Sequence, residues 1–235
     1  MTTLDVDAVI FDVGGVFVVP SPTVVREHLA GVGGVDDAGD DDFVAAHYHG
    51  IAAYDRGEDP PERWPAYLGA YLRAVGIAPD DEVLASVLAL WRTPSTGLWT
   101  HVVTHHVAAL RRIAEAADVR LGIISNSDGT IEQVLADRSI AQIGPGDGVE
   151  VEVIVDSHIV GVTKPDPTIF PFALDVMDLP PERCAYVGDS FRNDVEGARA
   201  AGLTPIHVDP HGLGPAGAHR RIDQVGDLLA HLPRR

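Results

Sequence analysis

The chain predicts an α/β fold: a parallel sheet flanked by helices, with an all-helical domain inserted after the first strand. Three observations carry this. A short apolar run, Ala8-Val9-Ile10-Phe11, reads as a buried strand and ends at Asp12, with Gly14 and Gly15 just beyond. From about residue 97 onward, strand-like and helix-like segments alternate, as in a sheet built from crossover units. Between Thr23 and Trp91 the apolar spacing is helical and no convincing strand is found.

Taken in order, residues 6–19 read as strand. Residues 23–29, 42–54, 62–75 and 80–91 each place apolar side chains three and four apart. Their starts carry helix-start signals: Thr23 after Pro22, the Asp40-Asp41-Asp42 run, Asp59 before Pro60-Pro61-Glu62, and Asp80-Asp81-Glu82 after Pro79. Residues 102–117 then read as helix, 119–125 as strand, 130–137 as helix, 151–156 as strand and 168–177 as helix. A short buried strand at 185–188 precedes a helix at 194–201 capped by Gly202, a strand at 204–208 and a last helix at 224–231. Pro20-Ser21-Pro22 and the segment 93–97 serve as linkers, which divides the chain into a core of 1–19 and 95–235 and a helical insertion of 20–94.

The 235 residues suffice for one good core and a small accessory domain. A net charge of −18 argues against nucleic acid and anionic membranes as partners. It also repels an anionic substrate at long range, so any phosphate site must be locally electropositive through a metal, a lysine or backbone N–H groups. The lone Cys184 excludes an internal disulfide and fits a reducing compartment. No signal peptide and no membrane-length apolar run is apparent, which points to the cytoplasm. Nothing in the sequence indicates an oligomeric state.

Four polar sites fall just past a predicted strand or at the next helix start. They are Asp12; Ser125-Asn126 after Leu121-Gly122-Ile123-Ile124; Lys164 in Gly161-Val162-Thr163-Lys164-Pro165-Asp166-Pro167; and Gly188-Asp189-Ser190-Phe191-Arg192-Asn193-Asp194. In a parallel sheet all four crowd one edge, the edge where open α/β sheets bind ligands. A carboxylate at the exit of a buried strand is costly unless paired or metal-bound.

In this order the four motifs resemble the haloacid dehalogenase-like hydrolases, specifically those with a helical cap inserted after the first strand. The resemblance spans nearly the whole chain, and Lys-Pro-Asp-Pro and Gly-Asp-Ser-x-x-Asn-Asp are its most specific parts. It implies a Rossmann-like core, a mobile cap, an aspartyl nucleophile and, in most members, Mg²⁺-dependent hydrolysis of a phosphate ester on a small molecule. Carried onto this chain, Asp12 is the nucleophile and Lys164 its catalytic partner. Asp12, the backbone carbonyl of Gly14, Asp189 and Asp194 hold the metal. Val13, Gly14, Ser125, Asn126 and Lys164 hold the phosphoryl group. Lys164 is also expected to offset repulsion among the carboxylates and keep Asp12 ionised. Cap closure is expected to exclude water and select the substrate.

One position departs from the pattern. Most phosphatases of the family carry a second Asp two residues after the nucleophile, as general acid and base, and here that residue is Gly14. General acid–base catalysis is worth roughly 10²–10⁴-fold. The substitution leaves three readings: a substrate with a good leaving group, a proton supplied by water or a cap residue such as His47 or His49, or weak turnover in a binding or regulatory protein. A 2-haloacid dehalogenase is a further alternative, but the acidic pair Asp189 and Asp194 favours the metal-dependent phosphatase. Other features read as structural. His101 and His105 lie on an exposed helix face, Trp64, Tyr67 and Tyr71 form cap core, residues 36–42 are an acidic loop, and the glycine-rich stretch 212–217 is a loop.

Overall fold

The computed structural model describes residues 3–33, 35–57, 60–93 and 97–235. The predicted helix-start residue Asp59 and residues 94–96 of the predicted linker lie outside these. In chain order the strands are β1 (Ala8–Phe11), β2 (Val18–Pro20), β3 (Trp99–Val102), β4 (Arg120–Ser125), β5 (Ala141–Ile143), β6 (Val149–Val151), β7 (Val153–Asp156), β8 (Cys184–Gly188), β9 (Thr204–Val208) and β10 (Arg220–Ile222). The α-helices are α1 (Pro22–His28), α2 (Asp40–Arg56), α3 (Pro60–Ala74), α4 (Asp81–Arg92), α5 (Thr104–Ala116), α6 (Ile131–Asp137), α7 (Ser157–Val160), α8 (Pro171–Met177) and α9 (Gly197–Ala200). The chain forms two compact units, one of Met1–Phe17, Val102–Pro210 and Pro215–Arg235, the other of Val18–His101 and His211–Gly214.

The first unit is built on a six-stranded, Rossmann-like sheet in the order β10-β9-β8-β1-β4-β7, with every neighbouring pair parallel. The central strands β1 and β8 are buried along their whole length. Burial on both faces makes them read as continuous apolar runs rather than as alternation. From β1 the sheet grows through β4 to β7, then resumes on the other side with β8, β9 and β10. The chain therefore leaves β1 and β8 in opposite directions, and such a reversal opens a crevice at the carboxyl ends of the two strands. Asp12 follows β1, and Asp189 follows β8.

Sequence and structure differ at several elements. The single strand expected over residues 6–19 is β1 and β2, separated by a turn in which Val16 and Phe17 N–H both donate to the Val13 carbonyl. Residues 151–156 are likewise split between β6 and β7, and β6 pairs with β5 in a separate two-stranded sheet. β3, β5 and β10 were not foreseen. Each has only three or four residues, and none is buried throughout, so the local signal is weak. His101 lies on β3 rather than on a helix face. The last predicted helix is a 3₁₀ helix, Val225–Ala230. The one predicted over 194–201 begins earlier, as a π-helical turn at Phe191–Glu196 that continues into α9.

The second unit is helical apart from β2 and β3, which pair with each other. Its helices start where polar side chains accept orphan backbone donors. Ser21 Oγ accepts from Val24 N–H, Asp80 Oδ1 accepts from Val83 N–H at 2.8 Å, and Asp42 Oδ2 accepts from Gly39 N–H at 2.8 Å. α2 and α3 approach closely because Gly50 has no side chain: a Cβ there would meet the Tyr67 ring at 2.7 Å. Tyr67, Leu68, Tyr71 and Leu72 of α3 enter the core with Phe43 of α2 and Val87 of α4. No helix among the described residues is long and apolar enough to cross a membrane.

Candidate active site

Asp12, Lys164, Asp189 and Asp194 converge at the carboxyl ends of β1 and β8. All four are buried, Asp194 completely. Lys164 Nζ lies 2.9 Å from Asp12 Oδ1 and 2.7 Å from Asp194 Oδ1. Oxygen atoms of Asp12, Asp189 and Asp194 lie within 4.8 Å of one another.

Local structure explains the convergence. Asp12 continues the line of β1, its N–H donating to the Val187 carbonyl at 2.8 Å. Gly15, two residues past the turn's start, takes φ +70°, a conformation costly for other residues. His106 of α5 ties the turn down, its Nδ1 donating to the Val16 carbonyl at 2.7 Å. Burial holds that imidazole neutral, its pKa lowered to about 4. Asp194 reaches the cluster because the π-helical turn carries it under β8. A Cβ on Gly188 would fall 2.2 Å from Asp194 Cγ, so only glycine fits there. Asp194 Oδ2 accepts the Ser190 N–H at 2.9 Å.

Lys164 is held at both its ends. Its ammonium donates to Asp194 and to Tyr186 Oη at 2.8 Å, and Tyr186 in turn donates to the Ile124 carbonyl at 2.8 Å. Its peptide is clamped by Asn126, whose Oδ1 accepts the Lys164 N–H at 2.8 Å and whose Nδ2 donates to the Lys164 carbonyl at 3.0 Å. The Asn126 carboxamide thus orients the lysine. Ser125 is buried at the end of β4. Asp166, within the lysine motif, caps the next turn by accepting from Thr168 N–H and Oγ1.

The sequence marks no role for Tyr186, and it places His106 with His101 and His105 on a predicted helix, with no role of its own. A tyrosine in an otherwise apolar buried strand is a usable signal, because a buried hydroxyl needs a partner. His106 was masked by its neighbour His105, and only the fold distinguishes the buried ring from the exposed one. His47, a candidate proton donor, is buried in the core of the second unit with its Nδ1 2.8 Å from Tyr67 Oη.

Three carboxylates lie together, and the Lys164 ammonium pairs with two of them, Asp12 and Asp194. Burial pushes Asp12 up to about 7, and Asp194 and Asp189 add to that push against the attraction of Lys164. Burial likewise raises Asp194, with Asp189 adding to the effect. For Lys164, desolvation is outweighed by Asp12 and Asp194, so its ammonium is held above the ordinary value. One lysine therefore does not keep Asp12 in the usual carboxylate range. Asp12 Oδ1 is near Nζ but receives no aligned hydrogen bond, and it is buried. Three hard, buried oxygen donors within 4.8 Å of one another, on carboxylates that raise each other's pKa, fit a divalent cation such as Mg²⁺.

The family description haloacid dehalogenase-like hydrolase matches residues 6–202. Phosphoserine phosphatase of Thermus thermophilus is 40% identical over 87 residues, covering 37% of this chain and 34% of its own. Haloacid dehalogenase-like hydrolase domain-containing protein 3 of Bos taurus is 34% identical over 144 residues, 61% of this chain and 52% of its own. Glyceraldehyde 3-phosphate phosphatase of Methanopyrus kandleri is 38% identical over 83 residues, 35% of each chain. The chain thus spans between a third and about half the length of these relatives. Among solved structures, a HAD phosphatase from Thermococcus onnurineus superposes with a TM-score of 0.57 at 17% identity, covering 97% of this chain and 100% of its own. A dehalogenase captured as an intermediate complex gives 0.61 at 16% identity, covering 99% and 100%.

Proposed function

The chain belongs to the haloacid dehalogenase-like hydrolases, and from that premise we propose that it is a Mg²⁺-dependent phosphatase acting on a small phosphorylated metabolite. The observation that carries this reading is the buried cluster of three carboxylates and one ammonium at the exits of β1 and β8. The phosphatase names of two relatives support it. We read residues 20–94 as the cap that selects the substrate and 1–19 with 95–235 as the catalytic core. We place the protein in the cytoplasm, a reading supported by the lone, unpaired Cys184.

In this reading an Asp12 carboxylate oxygen attacks phosphorus in line, and the bond from phosphorus to the leaving oxygen breaks. An aspartyl-phosphate forms, which water then hydrolyses to inorganic phosphate, restoring Asp12. Lys164, the Ser125 hydroxyl and the backbone N–H groups of Val13, Gly14 and Asn126 bind the phosphoryl oxygens. Bound by Asp12, the Gly14 carbonyl, Asp189 and Asp194, a Mg²⁺ ion would supply positive charge to the phosphoryl oxygens. Gly14 offers no proton, so the departing alkoxide is protonated by water, and substrates with good leaving groups are favoured.

A panel of phosphorylated metabolites and an activated aryl phosphate, assayed with and without Mg²⁺, tests this. The expected result is turnover that requires the metal and falls by about 10³-fold or more in Asp12→Asn. Equal hydrolysis by wild type and Asp12→Asn overturns the enzyme reading. Chelator-resistant release of halide from a 2-haloacid would establish the dehalogenase instead.

A further inference from the structure

The peptide linking Asp189 to Ser190 is gripped from both sides. Its N–H donates to Asp194 Oδ2 at 2.9 Å, and its carbonyl oxygen lies 2.9 Å from His207 Nε2. His207 is buried on β9, in register with Gly188 of β8, which places its ring beside the start of this peptide. A carbonyl oxygen only accepts, so His207 Nε2 must carry a hydrogen.

The other nitrogen has a partner as well. His207 Nδ1 lies 3.3 Å from Nε2 of His219, and Phe191 packs against both rings, at 6.2 and 5.2 Å between centroids. His219 Nδ1 is buried and has no hydrogen-bond partner. A hydrogen on that atom would be an orphaned buried N–H, the rarer defect in folded proteins, whereas a bare lone pair is better tolerated. The arrangement without an orphaned donor has His219 Nε2–H donating to His207 Nδ1. Desolvation and the neighbouring His207 lower the pKa of His219, in keeping with a neutral ring.

We propose that His207 is a positioning residue for Asp189 and that His219 fixes the tautomer it needs, so that Asp189 and Asp194 are set against each other through one peptide. This rests on the reading of those two carboxylates as ligands of a divalent cation. Groups that orient metal ligands typically contribute 10- to 100-fold in affinity or activity.

The test uses the full chain and two readouts. Long-range proton–nitrogen NMR of the metal-free protein at neutral pH should show both His207 and His219 as Nε2–H tautomers, and His219→Leu should leave His207 mixed. Calorimetry with Mg²⁺ alone should show affinity about 10- to 100-fold weaker in His207→Leu. His207→Gln, which keeps an N–H near the position of Nε2, should recover most of the loss. A wild-type His207 protonated at Nδ1, or equal Mg²⁺ affinity in wild type and His207→Leu, overturns the proposal. So does an equal loss in His207→Leu and His207→Gln. A wild type that binds no Mg²⁺ overturns the metal reading and this proposal together. Normal Mg²⁺ binding in a correctly folded His207→Leu overturns this one alone.

Discussion

The sheet-based unit concentrates four buried ionisable side chains in one cluster, while the helical unit sets buried hydroxyl and indole groups among aromatic rings. Asp12, Asp189, Asp194 and Lys164 crowd into one buried cluster, leaving Asp12 Oδ1 without an aligned donor. In the helical core, Tyr71 Oη and Trp91 Nε1 are also buried without partners, but Tyr71 stacks on Tyr67 and meets Trp91 edge-on, and Trp91 packs tilted against Tyr67. The two kinds of defect mean different things. An uncompensated buried charge costs several kcal/mol and calls for a counterion. A neutral orphan costs roughly 1–3 kcal/mol, which a well-packed aromatic core can absorb. Only the charged cluster therefore points to a ligand.

The largest expected effect comes from breaking the charge balance. Lys164→Met removes the ammonium that pairs with both Asp12 and Asp194, and should destabilise the metal-free protein by about 3–5 kcal/mol in urea titrations. A loss below about 1 kcal/mol would mean that the carboxylates are already neutral. Asp12→Asn sharpens the same contrast through pH. The folded-state pKa of Asp12, about 7, lies above its ordinary 3.8, so folding favours the protonated form. Its stabilising contribution is present below pH 3.8 and lost as the pH rises to about 7. Metal-free Asp12→Asn should therefore gain on wild type by roughly 2–4 kcal/mol between those limits, and Mg²⁺ should cancel the gain. A gain independent of pH would count against a raised Asp12.

The helical unit should respond to volume rather than to charge. Gly50→Ala drives a methyl group into the Tyr67 ring and should cost about 1–3 kcal/mol with no pH dependence. The smallest effect belongs to Tyr71→Phe. Removing a hydroxyl that has no partner relieves its desolvation cost but leaves a small gap in the packed core, so the net gain in stability should be about 1 kcal/mol. A loss of 2 kcal/mol or more would reveal a hidden partner for that oxygen.

Much of the fold was legible because its central strands are local apolar runs and helices α1, α2 and α4 carry capping side chains at their starts. The exits of β1, β4 and β8, and the loop carrying Lys164, were marked by residues that fit poorly into a core. β3, β5 and β10 were illegible because short strands that are not buried throughout present no continuous apolar run. Asn126 was visible as a polar residue after a strand, but its grip on the Lys164 peptide was not.

By itself the sequence determined which chemical groups lie at the strand ends, because hydrophobic periodicity and turn residues act over a few neighbours. The tertiary structure decided what those groups do to one another. Convergence of three carboxylates within 4.8 Å, with Asp12 raised to about 7, depends on strand order and burial. So do the anchoring of Lys164 by Tyr186 and the grip of His207 on the Asp189 carbonyl. Electrostatic interaction and desolvation are set by distance in space, and the partners here lie up to 182 positions apart along the chain, from Asp12 to Asp194.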